Sequence, residues 1–405
     1  MSPVHQIKGA VQNYAWGKVG TESAVARLCC PSNVEEKEHY AELWMGIHPK
    51  APSTMADGKS LAEFVKENIE VLGEKLLKRF GTLPYLFKVL SVAKSLSIQA
   101  HPNKELAAKL HAEMPEIYKD SNHKPEMAIA LTQFEALCGF RPVKEINDFL
   151  EAVPELAAVV GEEAVTLLKN DHPVKGKSTS VALKACFTKV ILCEKAVREQ
   201  QLHQLINRVQ NMQENKLDLT SVNGELLLRL HSHFPGDVGC FVVYFLNHIF
   251  LQPGEAMFLA ANVPHAYLSG DCIECMACSD NVVRAGLTPK LVDAPTLCEM
   301  LEYLPSSIEH QKFKPITTDD PFETEYNPPV DDFAVVCLKI PAKTSDYCFR
   351  KRDCASIVLF VSGNATATGI DDDITSGSIL FIPANEVVTI TTQTDTLLYQ
   401  ATCIF

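Results

Sequence analysis

From about Val143 to Phe234 the apolar residues recur at helical spacing, while the sequence on both sides of that stretch has strand character. A helical block set between two β-rich lengths of chain calls for helices that pack as a separate layer or subdomain. Its most regular piece runs from Val181 to Met212, and Asn223–His231 adds another. A chain of 405 residues exceeds one ordinary core, so two or three domains are expected. The expected class is mainly β with an α-helical insertion.

Residues 1–58 read as strands and loops. Leu61 to Phe80 reads as one helix, opened by Ser60 with Glu63 as a capping box and closed by Gly81. Pro84–His101, Glu126–Leu131, Phe134–Phe140 and Val238–Phe258 read as strand regions. Asn103 caps a helix predicted from Lys104 to about Lys119, disturbed near Pro115, and a short helix is expected within Thr288–Leu304. The final runs are Phe333–Ile340, Ser356–Val361, Ser378–Phe381, Val387–Thr392 and Leu397–Ile404.

Gly254–Asn262 aligns with Gly377–Asn385 as a turn glycine, a strand and a small-residue turn. Two related jelly-roll units in one chain would produce this pattern. Eleven residues after the glycine, the first copy has His265 and the second Val388, so only the first keeps a metal donor.

A net charge of −13 argues against nucleic acid as a partner, because phosphate-backbone binding needs clustered cations. No apolar run reaches the ~18 residues that span a bilayer, so no membrane is expected. The first residues lack a basic region followed by an apolar one, which leads to a cytoplasmic location and to 14 free thiols. Cys272, Cys275 and Cys278 have no fourth partner for a tetrahedral site and read as small buried hydrophobes.

Between Ser95 and His101 polar and apolar residues alternate strictly, the pattern of a strand with one buried face and one wet face. Gln99 and His101 share the polar face. Each offers lone pairs to a metal ion, although a hydrogen-bonded pair within the sheet is the competing reading. Glu126 and His265, each beside a proline, would complete an N/O set suited to Zn²⁺, with Mn, Co or Fe also compatible by ligand type. Lys88 interrupts an apolar strand and points either into a cavity or to solvent at an edge. Lys124, Arg284 and Lys290 supply further cations, and Arg284 offers a planar fork for phosphate or carboxylate. Glu274 is a carboxylate in an apolar strand, costly there unless paired or functional.

Tyr118–Glu126 matches the first signature of type I phosphomannose isomerases, Y-x-D-x-N-H-K-P-E, and His265–Lys290 resembles the second, longer one. Asn13–Gly17, which contains Trp16, and Glu42–Gly46 resemble the family's N-terminal blocks. The resemblance implies a cupin-type architecture, with a catalytic domain at 1–142 and 236–308, a helical insertion at 143–235 and a degenerate C-terminal cupin at 309–405. It also implies interconversion of mannose 6-phosphate and fructose 6-phosphate, with one Zn²⁺ held by Gln99, His101, Glu126 and His265. It marks Arg284 as essential. The candidate substrate contacts are Trp16, Ser97, Tyr267, Asp280 and Lys290. For the proton transfer the candidates are Glu274, then His123 with Lys88, and also Lys124, Asp280 and a metal-bound water. A cupin oxygenase is disfavoured by the cations and by Glu126 lying 25 residues beyond His101. A storage protein is disfavoured by the intact ligand set. A small sugar phosphate is the expected partner, and a monomer the expected state.

Overall fold

A computed structural model gives the protein's structure at residues 4–30, 32–171 and 180–405. One sheet system of 11 strands carries Tyr85–Val92, Glu126–Ala130 and His265–Ala277 side by side, so strands from both sides of the helical block pair directly. The helices Val143–Ala152, Pro154–Val160, Glu162–Lys169, Val181–Ile191, Lys195–Glu214 and Gly224–His233 pack on their own core, which continues onto Ile98, Leu137 and Val283. A second sheet of eight strands holds the C-terminal runs, including Ala334–Ile340, Ser356–Ser362, Ile379–Ile382 and Thr396–Thr402. A shared apolar layer with Phe87, Ile129, Ile273, Ile357, Phe381 and Ala401 joins the two sheets. No helix among the described residues is long and apolar enough to cross a membrane.

His5–Lys8 and Thr54–Met55 join the C-terminal sheet, His5–Lys8 pairing with Ile379–Ile382. The division that assigns residues 1–142 wholly to the catalytic part does not include this crossing. Leu61–Phe80 is not one helix but Leu61–Glu67, a 3₁₀ turn Ile69–Leu72 and Glu74–Phe80, interrupted at Asn68 and at Gly73 with its φ of +87°. The capping box at Ser60 and Glu63 is present, and Gly81 closes the last turn in the left-handed region. The helix capped by Asn103 stops at Glu113, because the residue before Pro115 is driven out of the helical region. Val181–Met212 breaks between Ile191 and Lys195. Ala24–Cys29 and Gly239–Val242 are helical within stretches read as strand or loop.

The repeat is visible in the backbone. Gly254 and Gly377 both sit at φ +90°, the strands Ala256–Leu259 and Ile379–Ile382 follow, and Asn262 and Asn385 take φ of 64° and 66°. The two glycines differ in surroundings. A Cβ on Gly377 would lie 1.9 Å from the Leu28 carbonyl oxygen, whereas one on Gly254 meets nothing within 4 Å. Gly377→Ala is expected to cost about 3 kcal/mol and Gly254→Ala about 1 kcal/mol, read from urea denaturation midpoints. Equal losses would mean that the close approach to Leu28 carries no energy.

Candidate metal centre

The ladder brings the site residues together. Gln99 on the short strand Ile98–Ala100 stands opposite His265 on one side and Arg284 on the other. Glu126 opens its strand and faces Met276 and Leu259. The polar face of Ser95–His101 is not wet. Ser95 and His101 are buried and Gln99 half-buried, because this face turns into the molecule and lines a cavity.

Three side chains converge beside it, two of them lining it. His101 Nε2 lies 3.3 Å and His265 Nε2 3.4 Å from Glu126 Oε2, and the candidate donor atoms of all three residues fall within 4.8 Å of one another. His101 Nδ1 donates to the Asn281 carbonyl at 2.6 Å, and His265 Nδ1 donates to the Val263 carbonyl at 2.9 Å. Those bonds fix the tautomer and leave both Nε2 atoms as bare lone pairs. Both are buried without a hydrogen-bond partner, and the nearest oxygen is another acceptor. The short N···O separations are therefore not hydrogen bonds between neutral imidazole and carboxylate. Burial keeps His101 neutral, pushing its pKa down to about 4. Burial alone would raise Glu126, but Lys124 at 2.8 Å and the imidazoles outweigh it and hold the carboxyl well below its usual range. Two buried lone pairs aimed at an ionised carboxylate fit a divalent cation. Gln99 lines the same cavity, and its Oε1 accepts from Ser97 Oγ at 3.0 Å with one lone pair to spare.

The cavity has room for about 80 Å³ of solvent. Lys88 points into it, with its Nζ 3.0 Å from Glu274 and 3.4 Å from Glu42. Burial opposes the ammonium, yet the carboxylates raise Lys88 above its ordinary pKa. Glu274 is shifted the other way from most carboxylates: burial raises it, against the pull of Lys88. Its second oxygen accepts from the Tyr267 hydroxyl at 2.8 Å.

Lys88 and Lys124 also line an adjoining depression of about 870 Å³ that holds Lys50, Lys119, Asp280 and Arg284. Asp280 is 2.7 Å from Lys50. Arg284 is half-buried, and its guanidinium has no ion pair or hydrogen bond among the described residues; burial lowers its pKa. Trp16 lines neither space; it stacks on Tyr14, which lines the depression. Lys290 is exposed and lines neither.

His123 is not brought to the site. Its Nε2 lies 3.1 Å from Asp332, and it lines a separate depression with Arg79 and Asp331. In extended chain Lys124 and Glu126 face one way and His123 the other. Glu42 is a cavity-lining carboxylate that sequence reasoning misses. It lines the cavity, holds Lys88 and accepts from Trp44 Nε1 at 2.5 Å. The signal is the same as for Glu274, a carboxylate in an otherwise apolar strand. A wider cleft of about 1450 Å³ lies elsewhere, beside helix Gly224–His233. Its buried carboxylate, Glu135, is saturated by Arg229, His248 and Ser269.

Residues 4–143 match the family profile of the phosphomannose isomerase type I catalytic domain, and residues 159–246 that of its helical insertion domain. The chain is 49% identical to human mannose-6-phosphate isomerase over 417 aligned residues, covering 99% of both. It is 42% identical to the probable mannose-6-phosphate isomerase of Echinococcus multilocularis, covering 96% of both. It superposes with a TM-score of 0.85, at 30% identity and full coverage of both chains, on the Salmonella typhimurium mannose 6-phosphate isomerase solved bound to its substrate and zinc. The chain belongs to the type I phosphomannose isomerase family.

Proposed function

We propose that the protein interconverts mannose 6-phosphate and fructose 6-phosphate, with one Zn²⁺ held by Gln99, His101, Glu126 and His265. The observation that carries this reading is the pair of buried, partnerless Nε2 lone pairs converging on Glu126 beside a cation-lined depression. The names of the relatives supply the substrate class.

Isomerisation moves a proton between C1 and C2 through a cis-enediol and needs a base, charge stabilisation and a phosphate anchor. When bound, the zinc ion supplies positive charge for the substrate oxygen on which negative charge develops. Glu274 takes and returns the proton. Its raised pKa suits that task, Tyr267 orients one oxygen and Lys88 the other. Arg284 offers an unengaged fork for the enediol oxygens. Ser97, Tyr267 and Asp280 contact sugar hydroxyls, Trp16 supports the rim through Tyr14, and the cations lining the depression anchor phosphate. Lys124 keeps Glu126 ionised for the metal. His123 serves as a support for Asp332 rather than as the base. The chain works in the cytoplasm as a monomer, in catalytic, helical and C-terminal parts with His5–Lys8 and Thr54–Met55 lent to the C-terminal sheet, and supplies mannose 6-phosphate toward GDP-mannose and glycosylation.

Two measurements test this. Turnover of mannose 6-phosphate, followed by coupled fructose 6-phosphate detection, is expected to vanish on chelation and return with Zn²⁺; turnover that survives thorough metal removal overturns the reading. Glu274→Gln is expected to slow exchange of the substrate C2 proton with solvent by about 10²–10⁴-fold while zinc stays bound. Wild-type exchange in that variant removes Glu274 as the base.

A further inference from the structure

We propose that Cys29 and Cys30 form a vicinal dithiol site that captures trivalent arsenicals. Their Sγ atoms lie 2.9 Å apart. Cys29 is the last residue of helix Ala24–Cys29, and Cys30 caps it. On a continuing helix, successive side chains diverge by about 100° and do not meet. Here Cys30 leaves the helix at φ −143° and ψ 48°, and its thiol turns back onto its neighbour.

The helix that presents the pair is anchored at its other end. Ser23 Oγ accepts from the Ala26 amide at 3.2 Å, and the Val25 amide donates to Ser91 Oγ at 3.1 Å. The two sulfurs are thus held at chelating distance before a ligand arrives, which removes much of the ordering cost of binding. Both residues are half-buried, so solvent reaches them, and neither lines the candidate metal cavity. No other two thiols stand in hydrogen-bonding contact among the described residues. Cys193 and Cys278 are half-buried, Cys348 is exposed, and the remaining thiols are buried. Burial and the neighbouring thiol push Cys29 up to about 12. Cys29 therefore stays protonated at neutral pH, slow toward alkylation as a thiolate.

Arsenic(III) is a soft acid matched to sulfur. In the capture step an arsenoxide, R–As=O, condenses with both S–H groups. Two As–S bonds form, and the oxide oxygen leaves as water with the two thiol protons. Arsenic stays trivalent and no electrons are exchanged. Two-point attachment strengthens binding about 10²–10⁴-fold over a single thiol.

The test uses phenylarsine oxide with the full-length protein, read by intact mass and equilibrium binding. The wild type is expected to hold one equivalent that survives excess 2-mercaptoethanol and is released by 2,3-dimercaptopropanol. Cys29→Ser and Cys30→Ser each lose affinity by about 10²–10⁴-fold, while Cys348→Ser does not. No monothiol-resistant adduct on the wild type, or one retained in both serine variants, overturns the proposal. Peptide mapping of the wild-type adduct keeps the test decisive if a serine variant fails to fold: an adduct on the segment spanning Cys29 and Cys30 supports the site, and one mapped elsewhere overturns it.

Discussion

Replacing His101 with alanine is expected to abolish zinc retention and lower kcat by about three orders of magnitude, the scale of ~4 kcal/mol of lost charge stabilisation. His101 is fully buried, and its Nδ1 is committed to the Asn281 carbonyl, so its Nε2 has no role within the protein itself. Glu126 stays ionised beside Lys124 when the imidazole is gone, but one of two nitrogen donors is lost. Metal content by atomic emission and steady-state turnover, measured on a variant with wild-type circular dichroism, check the outcome. One zinc per chain with turnover within tenfold of wild type would exclude His101 as a ligand.

Arg284→Ala is expected to lower kcat/KM by about 10²–10³-fold while zinc content stays at the wild-type level. The guanidinium lines the depression next to the metal group and has no internal partner, so its removal strands no buried carboxylate. The loss then falls on the substrate's developing charge rather than on folding. Arg284→Lys is expected to restore activity only in part, since a point charge cannot reproduce a planar two-pronged donor. Parallel loss of zinc and turnover, or kcat/KM within threefold of wild type, would assign Arg284 to structure instead.

How much of the fold is legible in the chain itself depends on the range of the interaction. The capping box at Ser60, the αL stop at Gly81 and the strand Phe134–Phe140 follow from residues a few positions apart, and they appear as read. Gly73 interrupts the stretch Leu61–Phe80 where the backbone passes close to the Asp353 carbonyl, 280 positions away. The same holds for His5–Lys8, whose partner Ile379–Ile382 lies at the other end of the chain. Neither contact leaves a mark on the local pattern.

In the candidate site, chemistry was readable and direction was not. Residue type and spacing offered Gln99, His101, Glu126 and His265 as candidate donors and Glu274 as a costly carboxylate. They did not reveal that the polar face of Ser95–His101 turns inward, because alternation defines two faces without saying which of them meets water. Long-range pairing placed Lys88 between Glu42 and Glu274, turned His123 away to Asp332, and left Arg284 unpaired. The candidate donors were therefore written into the chain, while the convergence of His101, Glu126 and His265 within 4.8 Å came from strands far apart in sequence being laid side by side.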